Sequence, residues 1–129
     1  MAFFMNKIFL TEHKLLHHSL RWLQENRNHF PAITDDVIIA INEVLQNIYR
    51  HAYLLADGMQ IDVSITQTEH CLRFDITDYA KPMDLSFLDH EHEPSEEGGM
   101  GLRLIKKVAQ SFTIEYTGHG HLTQLEFCI

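Results

Sequence analysis

The apolar residues of this chain change their spacing abruptly near residue 58, and that change limits the folds open to it. Before it, Val37, Ile41, Val44, Leu45, Ile48 and Ala52 recur at the three- and four-residue intervals of a helix stripe. After it, Ile61, Val63 and Ile65, then Leu72, Phe74 and Ile76, alternate as the buried side of two strands does. Thr68-Glu69-His70-Cys71 between those runs predicts an antiparallel hairpin over Gln60–Gln67 and Leu72–Asp78.

The same reading extends to both ends. Residues 5–10 suit a first strand. Thr11 offers an N-cap for a helix to about Asn28, with Leu16, Leu20 and Leu23 on its inner face and Trp22 in the core. Pro31 breaks the pattern, Thr34 caps the second helix, and Asp35 and Asp36 complement its dipole. A third helix from about Gly101 to Gln110 turns Leu102, Ile105 and Ala109 inward. Strands Phe112–Thr117 and His121–Cys128 close the chain around Gly118-His119-Gly120. The order β-α-α-β-β-loop-α-β-β predicts an α+β fold, a two-layer sandwich of helices on one face of a mostly antiparallel mixed sheet. Without βαβ alternation, a doubly wound nucleotide-binding fold is excluded.

Composition narrows the function. A chain of 129 residues fits a single domain spanning 1–129. Its formal net charge of −8 argues against direct nucleic-acid binding, which draws on clustered Lys and Arg. No apolar run approaches the roughly 20 residues of a membrane span, and MAFFMNKIFL, interrupted by Lys7, lacks a secretory cleavage pattern. Cys71 and Cys128 fit no metal-ligand spacing and read as reduced, structural thiols in a cytoplasmic protein. His13 and His17 stand four residues apart with His18 adjoining, but no further zinc ligand is evident nearby, so they read as surface or packing histidines.

Three places carry chemistry that packing does not require. On the second helix, Glu43 and Asn47 lie one turn apart at the border of the apolar stripe, with Ala40 and His51 on the same flank. An acid and an amide so spaced can orient a divalent cation and a nucleophile, or they can form a solvated helix edge. Asp78 ends a strand before a Pro-containing turn, where it serves turn chemistry or accepts a hydrogen bond from a ligand's amino group. Gly98-Gly99-Met100-Gly101 precedes a helix, as a hinge or as a cradle of amides for phosphate. Residues 89–97, DHEHEPSEE, hold five carboxylates and read as a surface loop.

Taken in this order, the three segments resemble the GHKL ATPases, the ATP-binding fold of gyrase, Hsp90, histidine kinases and MutL, known as the Bergerat type. Within that family the chain looks most like the small anti-sigma-factor serine kinases. EVLQNIYRHAY resembles the N-box, DITDYAKPMD the first glycine box and GGMGLRLIKKVA the second. The resemblance implies roles residue by residue. Asn47 would ligate Mg²⁺ and Glu43 would be the general base. Asp78, with Ala80 beside it and Thr123 in support, would bind adenine. The amides of Gly98, Gly99, Met100, Gly101 and Leu102 would wrap the phosphates. Residues 84–97 would be the ATP lid. Ala80 and Pro82 stand where the family usually has glycine, and Glu96 and Glu97 adjoin the phosphate site, so the resemblance implies weak, Mg²⁺-dependent binding of ATP. The implied partners are a STAS-type anti-sigma-factor antagonist as substrate, a sigma factor, and a second copy in a homodimer. A catalytically weak protein-binding module of the same fold is the alternative, and a detached sensor-kinase domain a more distant one.

Overall fold

The structure is a computed structural model and describes residues 3–83 and 99–129; the side chains of Gly99, Met100 and Gly101 are outside that description. Strand β1 (Phe3–Leu10) leads to helix α1 (Leu15–Glu25), which ends in a 3₁₀ turn, Asn26–Asn28. Helix α2 (Asp35–Asn47) runs on into a π-helical turn, Ile48–Ala52. Strands β2 (Gln60–Gln67) and β3 (Cys71–Asp78) follow, then helix α3 (Gly99–Val108) and strands β4 (Ser111–Tyr116) and β5 (His121–Cys128). The strands form one five-stranded sheet in the order β1-β2-β3-β5-β4, and each of these pairings is antiparallel. The α+β class expected from the sequence is the one observed.

Strand alternation decides which face the helices cover. Ile61, Val63 and Ile65 of β2, Leu72, Phe74 and Ile76 of β3, and Leu125 and Phe127 of β5 are buried and pair across the strands. Val37, Ile38, Ile41, Val44, Leu45 and Ile48 of the α2 segment meet them from above, with α1 on one side of α2 and α3 on the other. Thr34 caps α2 as its sequence predicts, its Oγ1 accepting from Val37 N–H at 3.3 Å.

The first helix departs from expectation in two ways. Thr11 does not cap it. The Thr11 hydroxyl donates to Ala56 O at 2.6 Å and accepts from Met59 N–H at 2.8 Å, so it clasps the turn before β2, and α1 starts at Leu15 with no side-chain cap. Its buried stripe is Leu15, Ser19 and Leu23, which leaves Leu16 39% and Leu20 36% exposed. The reason is polar: the Ser19 hydroxyl hydrogen-bonds Asn42 on α2, and that contact sets the helix rotation one position away from the leucine spacing. Trp22 is half-buried, packed edge-on against Phe9 with ring centroids 5.6 Å apart. A groove of about 360 Å³ lies between β1 and α1, with Ile8, Glu12, Arg21 and Trp22 among its walls.

Helix α2 ends under strain. Tyr53 N–H reaches back five residues to Ile48 O at 2.9 Å, and Leu55 N–H reaches Tyr49 O at 2.8 Å. Leu54 and Leu55 then adopt φ of 53° and 66°, the left-handed region that disfavours a branched side chain.

Candidate functional site

Asp78 is the last residue of β3 and is buried on the helix-covered face, opposite Ile61. Its Oδ1 accepts three donors: Ala80 N–H at 3.0 Å, His121 N–H at 3.2 Å and the His121 ring Nδ1 at 2.9 Å. The other ring nitrogen, Nε2, accepts Met83 N–H at 3.1 Å. With Nε2 accepting from Met83, the Nδ1 proton of His121 is the one directed at Asp78. The bond from Ala80 closes a tight turn after the strand, as Asx side chains do.

Ala80 is buried and keeps a negative φ, so the turn does not need the glycine usual at that place. Glycine is needed elsewhere. A Cβ on Gly120 would stand 1.8 Å from the Asp78 carbonyl oxygen, so the β4–β5 turn can approach β3 only with glycine there. Gly120 and His121 therefore hold Asp78 in place, although their local sequence reads as a plain hairpin. Thr123 is buried two residues further along β5, beside Ile76, on the face that carries Asp78.

The end of α2 is tied to the same corner. Tyr53 is buried; its hydroxyl donates to Gln60 O at 2.5 Å and accepts Tyr79 N–H at 2.7 Å, next to Asp78. Burial pushes the Tyr53 hydroxyl above its usual pKa, partly offset by the Tyr79 amide. The Tyr79 ring points away from the corner. Its hydroxyl donates to Asp62, whose neighbours Ile61 and Val63 face the helices, so the ring lies on the opposite side of the sheet.

Glu43 and Asn47 are half-buried. Asn42, which faces α1, lies about 140° around the helix from Asn47 at roughly 100° per residue, so the Glu43–Asn47 flank turns toward the α3 side. Among the described residues, Asn47 Oδ1 is buried without a hydrogen-bond partner. A buried carbonyl oxygen left unmatched is costly unless a ligand satisfies it, and it is the donor type a hard cation takes. Of the flank's other expected members, Ala40 is fully buried in the core and His51 is exposed. Among the described residues no group of three or more His, Cys, Asp and Glu side chains is arranged to hold a metal.

Helix α3 starts at Gly99, two residues earlier than expected, so Gly99, Met100 and Gly101 form its first turn instead of a loop before it. Backbone N–H groups of a first helical turn have no partner within the helix and favour anions. The Leu102 side chain is buried in the core, which leaves its amide as its possible contribution. Gly98, the expected lid at 84–97, and Glu96 and Glu97 within it lie outside the described residues. No helix among the described residues is long and apolar enough to cross a membrane.

Comparison with known proteins agrees with this fold. A structural match is found to a chain of the SiaB–SiaC complex from Pseudomonas aeruginosa. It has a TM-score of 0.59 and 17% identity, covering 95% of this chain and 89% of that one, a likeness of fold. Among curated proteins, none matches the sequence. The profile of the histidine kinase-like ATPase domain matches residues 11–128, nearly the whole chain. With its α+β sandwich and that match, the chain belongs to the histidine kinase-like ATPase domain family.

Proposed function

We propose that this protein is an ATP-dependent serine/threonine protein kinase of the anti-sigma-factor type, one that phosphorylates a STAS-type antagonist and sequesters a sigma factor. The observation that carries the reading is the orphaned, buried Asn47 Oδ1 one helical turn from Glu43. The family supplies the ATP chemistry, and the amide oxygen suits Mg²⁺. When bound, magnesium neutralises phosphate charge and leaves the terminal phosphoryl group open to attack.

The chain's own residues do the rest. Asn47 would hold the metal through Oδ1, and Glu43 would accept the proton of the attacking partner hydroxyl. Asp78 accepts a hydrogen bond from the exocyclic amine of adenine, and Thr123 lines that contact. The amides of the first turn of α3, from Gly99 to Leu102, would serve the phosphates. Little covalent work falls to the protein; positioning and electrostatics carry the rate.

Two observations bear on the partners. Strand β1 is a sheet edge with Phe4, Ile8 and Leu10 exposed, and Leu16 and Leu20 of α1 are partly exposed, which supports a second copy of the chain at that edge. The structural neighbour belongs to a two-protein complex, which supports a protein partner for this fold. One observation favours the alternative, a binding module with weak catalysis: Asp78 Oδ1 is already saturated by internal donors, which leaves the carboxylate less capacity for adenine.

The experiment is to mix the purified protein with Mg-ATP and a STAS-type antagonist and follow intact mass. Gain of one phosphate on the antagonist, lost in Glu43→Ala, is the expected result. Nucleotide binding without transfer assigns the module instead.

A further inference from the structure

The two cysteines, expected as reduced, structural thiols, stand opposite each other on neighbouring strands. Cys71 opens β3, Cys128 closes β5, and the strand register pairs them directly. The backbone bonds say which kind of pair this is. Ile129 N–H donates to His70 O at 3.0 Å, beyond one side of the pair. Cys71 turns its own backbone toward β2: its N–H donates to Thr68 Oγ1 at 3.2 Å and its carbonyl accepts Thr68 N–H at 2.9 Å.

Cys71 and Cys128 are thus a non-hydrogen-bonded antiparallel pair, in which Cα atoms stand about 4.5 Å apart and side chains come closest. That spacing falls in the roughly 4.4–6.8 Å range of natural disulfides. Strand alternation puts both side chains on the face away from the helices, with Cys71 half-buried, Cys128 exposed and both thiols free.

We propose that Cys71 and Cys128 are a redox modification site that closes into an intramolecular cross-strand disulfide by exchange with a low-molecular-weight disulfide such as oxidised glutathione. The exposed Cys128 thiol, which donates to Gln110 Oε1 at 2.5 Å, loses its proton to solvent, and the thiolate attacks one sulfur of the small disulfide. That S–S bond breaks, one small thiolate leaves and takes up a proton, and a mixed disulfide remains on Cys128. Cys71 then gives up its proton and attacks the Cys128 sulfur, expelling the second small thiol. Thr68 Oγ1 stands 3.4 Å from Cys71 Sγ, where its hydroxyl can donate to the thiolate. Two protein thiols are oxidised and one small disulfide is reduced to two thiols. The bond ties together the far ends of β3 and β5 and leaves the Asp78–His121 end untouched.

The test titrates the full chain with oxidised glutathione and reads intact mass, free thiols and a non-reducing peptide map. Expected are loss of both thiols, a mass lower by about 2 Da, a peptide joining Cys71 to Cys128, and a melting temperature raised by ~5 °C and restored by dithiothreitol. Cys71→Ser and Cys128→Ser, both folded by circular dichroism, should each keep one glutathione adduct and show no 2 Da loss. Stable adducts on both cysteines of the parent chain, disulfide-linked dimers, or thiols left unreacted would each overturn the proposal. These covalent readouts do not depend on whether the protein is a kinase.

Discussion

His121 donates from Nδ1 to Asp78 Oδ1 at 2.9 Å, and the two side chains, 0% and 1% exposed, are walled in by the residues around them. Forty-three positions apart in sequence, they are brought together by the antiparallel pairing of β3 with β5. The ring fixes the carboxylate, and its far nitrogen fixes Met83 at the start of the segment that leads toward the second glycine box.

This relationship makes His121 a positioning residue for Asp78. His121→Ala should cost about 2–3 kcal/mol in denaturant unfolding, because Met83 N–H and one Asp78 lone pair lose their partner inside the core. Calorimetry should also show weaker adenine-nucleotide binding, while a triphosphate lacking the purine amino group loses less. Equal losses for both nucleotides would make His121 merely structural.

Gly120→Ala should be among the most damaging single-methyl additions in the chain. The new carbon would collide with the Asp78 carbonyl, at an expected cost of about 2–3 kcal/mol, the range for overpacked sites. Gly118→Ala is the control: φ is 94° but the space is open, so only about 1 kcal/mol of backbone strain is expected. Comparable melting temperatures for the two variants would refute the close approach.

Tyr53→Phe removes the hydroxyl that joins the end of α2 to the Asp78 turn and strands Gln60 O and Tyr79 N–H. A loss of about 1–3 kcal/mol is expected in urea unfolding. Hydrogen exchange at the Tyr79 amide should accelerate more than in the sheet centre; uniform acceleration would argue against a local tie.

Three tyrosines should ionise late. Burial raises Tyr53, while the bonds Tyr49 and Tyr79 donate to Asp57 and Asp62 are the largest causes of their rise. A folded-state pKa above the ordinary value of 10.0 means that the protonated phenol is favoured by folding. The stability so contributed is fully present below pH ~10 and is lost as pH climbs through the raised values. Ultraviolet titration of tyrosinate should therefore show ionisation lagging behind the urea-unfolded chain; coincident curves would contradict it.

The sequence carried most of the fold because its periods are strong. Strands Gln60–Gln67 and His121–Cys128 and the Thr34 cap of α2 stand where alternation and capping chemistry place them. Helix α1 was harder to read. Its inner face is set by the polar Ser19–Asn42 contact, which hydrophobic spacing does not register, and Thr11 serves a partner some 45 positions away. The candidate site was half legible. Local motifs pointed to Glu43, Asn47 and Asp78, whereas Gly120 and His121 act only through cross-strand register. The sequence signal for them was a glycine followed by a histidine at the mouth of the strand beside Asp78.

The central claim is that the unmatched Asn47 oxygen and the Asp78 corner belong to one magnesium-nucleotide site. Titration calorimetry of ATP into the parent chain and Asn47→Ala, each with magnesium and with excess chelator, tests it most directly. The account predicts binding that needs magnesium in the parent chain and is weakened ~10-fold or more in the variant, with unfolding stability little changed. Tight binding in chelator, or undiminished binding in Asn47→Ala, would contradict it.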